Sequence, residues 1–198
     1  MTLLSAIIIG LALGASLGGR PRRLGQLKLR WNALIFGSLA IQLFLFTGLS
    51  ISALAVTVLY LLSGGLALAW LARNLVIPGI ACMMVGGLSN FLAIAANGGR
   101  MPVEPNLLAQ TRGRDYVSAL AAGRVTSNSS LADSHTHLRW LTDQILIPPP
   151  WPLPTVVSAG DVLIAFGVTW LIVKGMQLRG EDDDSRSSAP GRPKPIDS

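Results

Sequence analysis

Ala95-Ala96-Asn97-Gly98-Gly99-Arg100-Met101-Pro102-Val103 is the stretch on which the reading of this chain turns. Four apolar segments with short connections precede it. A polar stretch of about fifty residues follows, then one last apolar segment. Asn and Gly tolerate the left-handed backbone that closes a helix C-terminus, and Pro102 keeps Met101 out of the helical region. The stretch therefore predicts the end of a buried helix and the entry into the only sizeable water-facing part of the chain.

Working outward, 51% of the 198 residues are hydrophobic and 13% are charged, about half the charged share of a typical soluble domain. The apolar residues come in long uninterrupted blocks, which predicts bilayer-spanning helices and not a water-soluble core. The expected fold class is an all-α membrane protein. Five spans are expected, at about 3–18, 31–47, 51–71, 75–96 and 156–173, in one domain over 1–176 with an external loop region at 97–155. Residues 177–198, rich in acid, Ser and Pro, are expected to form a disordered cytoplasmic tail.

The net charge is +6. Its basic residues cluster at the ends of apolar segments, where they set topology and meet anionic lipid headgroups. No basic stripe with interleaved aromatics is present, so nucleic acid is not an expected partner. Arg20, Arg22, Arg23, Lys28 and Arg30, with no acid among them, mark the first loop as cytoplasmic. The charge follows the first apolar run, so that run reads as an uncleaved anchor and not a signal peptide. The N-terminus is then outside and the C-terminus, after Lys174 and Arg179, cytoplasmic. Cys82 is the sole cysteine, which excludes an internal disulfide and a Cys-based metal site.

Ala6, Gly10, Gly14 and Gly18 fall every four residues and put four small residues on one helix face. Gly86 and Gly87 in the fourth span, and Gly160 and Gly167 in the last, are further close-packing points. Gln42 is expected to bond a neighbouring helix, Trp31 to anchor at the interface, and Trp70 with Arg73 to end the third span. Pro78 is expected in the first turn of the fourth span, where its missing N–H costs little.

The candidate binding residues are Asn90, Asn97, Gly98, Gly99, Arg100, Ser158 and Asp161. Asn90 lies within the fourth span and needs a partner there, either on another helix or in a cavity. Gly98 and Gly99 close a helix or, alternatively, form an anion nest. Ser158-Ala159-Gly160-Asp161 has capping-box spacing, with Asp161 on the positive helix start. Asp161 is also the sole acid in any apolar segment, which makes it a functional candidate.

Within the external region, Asp115–Ala122 is expected to be a short surface helix and 123–130 a polar linker. Trp140 and Leu141 are expected to dip into the interface. Pro148 to Pro154 should run as a stiff polyproline strut with Trp151 at headgroup level. Asp133, His135, His137 and Asp143 form the most chemistry-like cluster. A His-x-His pair beside an acid can hold zinc, so His135 and His137 are weak candidates. No specific zinc signature accompanies them, and neither a metal nor a cofactor is expected.

The Arg/Lys-rich first loop ending Leu27-Lys28-Leu29-Arg30, the Asn97-Gly98-Gly99-Arg100-Met101-Pro102 junction, and Pro150-Trp151-Pro152-Leu153-Pro154 followed by Ser158-Ala159-Gly160-Asp161-Val162-Leu163 resemble a bacterial family of small membrane proteins, domain of unknown function 5317. The resemblance covers about 1–176. It implies a bacterial cytoplasmic membrane location and points to Asn97, Gly98, Gly99, Met101, Pro102, Ser158, Gly160 and Asp161, with no activity attached. His135 and His137 do not fit its pattern.

Three functions compete. The first is a structural or interaction subunit of a membrane assembly, motivated by the small-residue faces and the lack of a catalytic constellation. It implies a membrane protein partner besides the lipid bilayer. The second is a small-molecule or lipid carrier with its site at the outer mouth, near Asn97 and Asp161. The third is a membrane enzyme using Asp133, His135, His137 or Asp161.

Overall fold

The computed structural model describes residues 2–47, 52–124, 128–148 and 154–178. The expected turn at 48–50, most of the proline strut and the tail from 179 lie outside the described residues. Five long helices carry the architecture: α1 (Thr2–Ser16), α2 (Asn32–Phe46), α3 (Ala53–Arg73), α4 (Ile80–Ala96) and α7 (Ala159–Met176). Between the last two lie β1 (Met101–Val103), α5 (Pro105–Arg112), α6 (Arg114–Ala121), β2 (Ser129–Leu131), β3 (Ile145–Ile147) and β4 (Thr155–Val157), with single 3-10 turns at Pro21–Gln26 and Arg139–Leu141.

Two helices, over Leu54–Arg73 and Ala159–Met176, are long and apolar enough to cross a membrane; α1, α2 and α4 are apolar but shorter. The expected five full-length spans are thus reduced at the helix ends, for local reasons. The fourth helix does not begin at Leu75. Asn74 to Gly79 form a turn, and Gly79 takes φ 88° as the N-cap of α4, so Pro78 lies before the helix and not in its first turn. At α7, residues 155–157 pair as a strand, and the helix starts only after Ser158.

The long helices pack in the order α1, α7, α4, α3, α2. α1 runs parallel to α7, with Gly10 against Ile172 and Gly14 against Met176. The Thr169 hydroxyl donates to the Ala6 carbonyl at 3.2 Å. Gly18 does not belong to this face: with φ 77° and open space around it, it turns the chain after α1, and Gly19 packs on Met176 instead. α7 runs antiparallel to α4 across two reciprocal glycine pairs, Gly86 with Gly160 and Gly79 with Gly167. A Cβ on any of the four would strike the opposite backbone. Gly87 faces α3 at ordinary van der Waals distance from Leu68 and Leu71. α3 and α2 are joined by Gln42 donating to Ser63 Oγ at 3.5 Å and Trp70 Nε1 donating to Asn32 Oδ1 at 3.2 Å. Trp70 is buried and not at a surface, because its N–H finds a partner there.

Two asparagines close their helices in the same way. Asn74 follows α3, accepts from the Arg30 N–H at 2.8 Å, and donates to the Arg30 and Trp70 carbonyls at 3.0 and 2.8 Å. Asn97 follows α4, accepts from the His137 N–H at 2.9 Å, and donates to the His137 and Ala93 carbonyls at 2.9 and 2.7 Å. Each side chain treats a distant loop residue as a strand neighbour would.

The described residues between 97 and 157 form a folded cap, whose short strands add to the mostly helical fold that was expected. β1 pairs in parallel with β2, Met101 opposite Ser129 and Val103 opposite Leu131, and Val103 bridges Asp143 on its other edge. Pro102 sits in this strand with its nitrogen on the side away from β2 and its carbonyl accepting from Asp143 N at 3.0 Å, so its missing N–H interrupts no bond to β2. β3 and β4 form an antiparallel pair, Ile145 opposite Val157. α5 and α6 cover these strands with Leu108 and Leu120, which pack on Val103 and Val156. The predicted surface helix is therefore α6, with one face inside the cap. Trp140 is exposed, but Leu141 is buried against Ala93 and Met101, not placed at an interface.

Candidate functional site

The start of α7 and the middle of α4 meet in a closed polar ring. Ser158 Oγ accepts from the Asp161 N–H at 3.0 Å, and Asp161 Oδ2 accepts from the Ser158 N–H at 3.1 Å, the capping box expected from the spacing. Asn90 completes it. Its Nδ2 donates to Asp161 Oδ1 at 2.8 Å, and its Oδ1 accepts from Ser158 Oγ at 2.7 Å. Gly160 makes the approach possible, since a Cβ there would lie on Asn90 Oδ1. Asn90 thus has the interhelical partner its position demands. Ser158 is fully buried, and every bond of the ring has a charged or polar partner in a low-dielectric setting, where such networks are strong.

The second candidate group stays separate. Asn97 is occupied by His137 and Ala93, as described above. Gly98 (φ 67°) offers its carbonyl to Thr57 Oγ1 at 3.0 Å. Gly99 (φ 83°) presses on Thr57, whose side chain a Cβ would meet at 2.7 Å. These residues end α4 and lean it on α3. Arg100 is exposed. No hydrogen bond among the described residues joins Asn97 to Asp161. Asp161 turns instead to Asn90, about two helical turns deeper along α4.

Asp133 accepts from the His135 N–H at 2.8 Å and from Thr136 Oγ1 at 3.3 Å, which closes a surface turn. His137 is held through its backbone. Among the described residues no group of three or more His, Cys, Asp or Glu is placed to hold a metal ion.

Asp143 is the group whose importance the sequence concealed. Its Oδ1 is buried without a hydrogen-bond partner. Burial, and then the nearby Asp161 carboxylate, push its carboxyl up to about 8. Its backbone is pinned in the cap, its N–H to Pro102 and its carbonyl to Glu104 N. In the sequence it stood in a His/Asp cluster; in the fold its charged neighbour is Asp161, at the start of α7.

Two cavities flank this polar system. A cleft of about 280 Å³ opens among the long helices. Its walls are apolar, and Asn90 is among its few polar groups. A pocket of about 210 Å³ lies in the cap, lined by Asp143, Arg112, Tyr116, Asn128 and Thr155 among others.

An apolar helical layer, two of its helices stapled by a buried Ser-Asp-Asn ring beneath a small folded cap, defines the class of protein. Residues 26–173 match a family of unknown function (DUF5317), and the chain belongs to that family. It is also similar to an uncharacterized protein of Thermotoga maritima, 31% identical over 96 residues, which is 46% of this chain and 49% of the relative. The match spans about half the length of that relative. No solved structure matches.

Proposed function

We propose that this is a multi-pass protein of the bacterial cytoplasmic membrane, N-terminus outside and C-terminus cytoplasmic, that binds a lipid or similar apolar molecule in the cleft between its helices. The membrane placement is supported by the apolar side chains turned outward on every side: Phe36, Leu43, Leu54 and Phe166 are each more than half exposed. Just 17% of the apolar window of α3 is buried, whereas the core helix of a water-soluble protein would be mostly covered. The orientation is supported by the basic ends meeting at one pole. Arg20 N donates to the Met176 carbonyl at 2.8 Å, and Arg73 stacks over Trp31 at 5.4 Å, while the cap lies at the other pole. Helices shorter than a bilayer is thick are accommodated by local thinning, so five crossings remain the reading.

The observation that carries the binding role is the cleft itself, walled by Leu3, Ile35, Tyr60, Leu68, Phe91 and Ile164 from all five long helices. A mostly apolar concavity with a few placed polar groups is the usual form of a ligand site. The small-residue faces that suggested docking to another protein are occupied within the bundle, at the α1–α7 and α4–α7 contacts, so they no longer argue for a partner. The test is native mass spectrometry of the full chain released gently from the membrane. The expected result is a retained lipid or small molecule, lost in Gly87→Leu, which extends a side chain into the cleft from a position with ordinary clearance. A bare protein, or retention unchanged by that substitution, refutes the role. A stoichiometric second protein would return the subunit reading to first place.

A further inference from the structure

We propose that the pocket in the cap is a second, separate site, which takes a compact zwitterion: an ammonium against Asp143 and an anionic phosphate or carboxylate toward Arg112. The pocket holds about 210 Å³ and, unlike the cleft between the helices, is walled largely by polar groups, so a small polar group fits and an acyl chain does not. The lining carries an acid and a base that the chain leaves unmatched. Asp143 has a buried carboxyl oxygen with no donor, and its charged neighbour is another acid, Asp161. Arg112 lies over the Tyr116 ring at 5.9 Å and has no acidic partner among the described residues. Two hydroxyls of the lining are already engaged as donors: Thr111 Oγ1 to the Leu108 carbonyl at 3.1 Å, and Thr155 Oγ1 to the Val156 carbonyl at 3.4 Å. Their lone pairs stay available to a ligand donor.

A buried carboxyl without a partner is costly in a finished fold. An ammonium supplies the donors and the positive charge that Asp143 lacks, and in binding it displaces the carboxyl proton. A guanidinium on an aromatic face is pre-positioned for a planar or tetrahedral oxyanion. Lipid headgroups and free solutes both offer an ammonium and an oxyanion joined by a short link.

The experiment uses the full-length protein in detergent and in nanodiscs. The soluble probe is phosphoethanolamine, titrated by calorimetry. The lipid arm compares nanodiscs of phosphatidylcholine alone with nanodiscs containing phosphatidylethanolamine, scored by which lipid stays with the protein. Asp143→Asn and Arg112→Gln are each expected to weaken binding by at least about tenfold, the order of a lost charge-assisted bond, while thermal melting shows both folded. Capture of the soluble probe assigns a free solute, and selective retention of the ethanolamine lipid assigns a headgroup; either supports the site. Absence of both at millimolar probe, or binding unchanged in either variant, overturns it. Because Gly87→Leu leaves the cap untouched, failure here and failure of the cleft reading are told apart.

Discussion

Replacing Asp143 by Asn should stabilise the protein, and more so as the pH rises. The Asp143 carboxyl stands at about 8 against an ordinary 3.8, about four units, or an upper bound of roughly 5–6 kcal/mol at about 1.4 kcal/mol per unit. The side chain is not wholly buried, and solvent relaxation reduces this; about 2 kcal/mol is the working figure. The sign follows from proton binding. Between pH 4 and about 8 the folded chain holds a proton that the unfolded chain has released, so stability falls as pH climbs through that window. Below the window the group contributes no penalty, and above about 8 the full cost is present. The groups that face Asp143 are Asp161 at the start of α7 and, across the pocket, Arg112 and Tyr116 on α5 and α6. All remain in the variant, and the repulsion from Asp161, one of the two causes of the shift, disappears with the Asp143 charge and is part of the expected gain. Thermal melts of both proteins in one detergent, from pH 4 to 9, should coincide at the acid end and diverge toward the alkaline end. About 2 kcal/mol corresponds to roughly 4–8 °C for a chain of this size. Parallel curves, or a variant that is less stable at pH 9, would refute the reasoning.

The ring predicts that Asn90→Ala loses about 2–4 kcal/mol, because Asp161 and Ser158 are left underbonded in a buried place; urea or thermal unfolding in detergent measures it, and a loss under about 0.5 kcal/mol would contradict it. Gly160→Ala should be worse than Gly87→Ala, since the first Cβ meets Asn90 Oδ1 and the second meets Leu68 at 3.4 Å; a yield or melting comparison that ranks them the other way sinks the α4–α7 account. Asn74→Ala and Asn97→Ala should each cost about 2–3 kcal/mol, from three lost bonds of about 1 kcal/mol each. Hydrogen exchange should then rise locally, at Arg30 in the first variant and at His137 in the second.

Much of the long-helix layout was legible because its signals are local. The Ser158 to Asp161 box is a four-residue pattern, Asn97-Gly98-Gly99 carries its own backbone preference, and the spacing of Ala6, Gly10 and Gly14 shows a face whatever it meets. The cap was not legible. The four strands among its described residues have three residues each, too few for a period of two to register. The pairing of Asn90 with Asp161, against the expected approach of Asn97, depends on how deeply α7 slides along α4. The Gly86–Gly160 and Gly79–Gly167 pairs set that register; in the sequence Gly86, Gly160 and Gly167 read as close-packing points without naming the residue each meets. Asp143 stood beside two histidines and looked like part of their cluster; its place beside Asp161 is a product of the fold.

The paired asparagine clasps bear on where such a protein can work. Cys82 is its lone sulfhydryl, and disulfide stapling would in any case hold only on the oxidising side of a cell. An amide that grips a loop by its backbone needs no oxidant and is untouched by a reductant. With one such clasp at each pole, on Arg30 and on His137, the connecting segments at both poles are fastened by a chemistry indifferent to redox conditions.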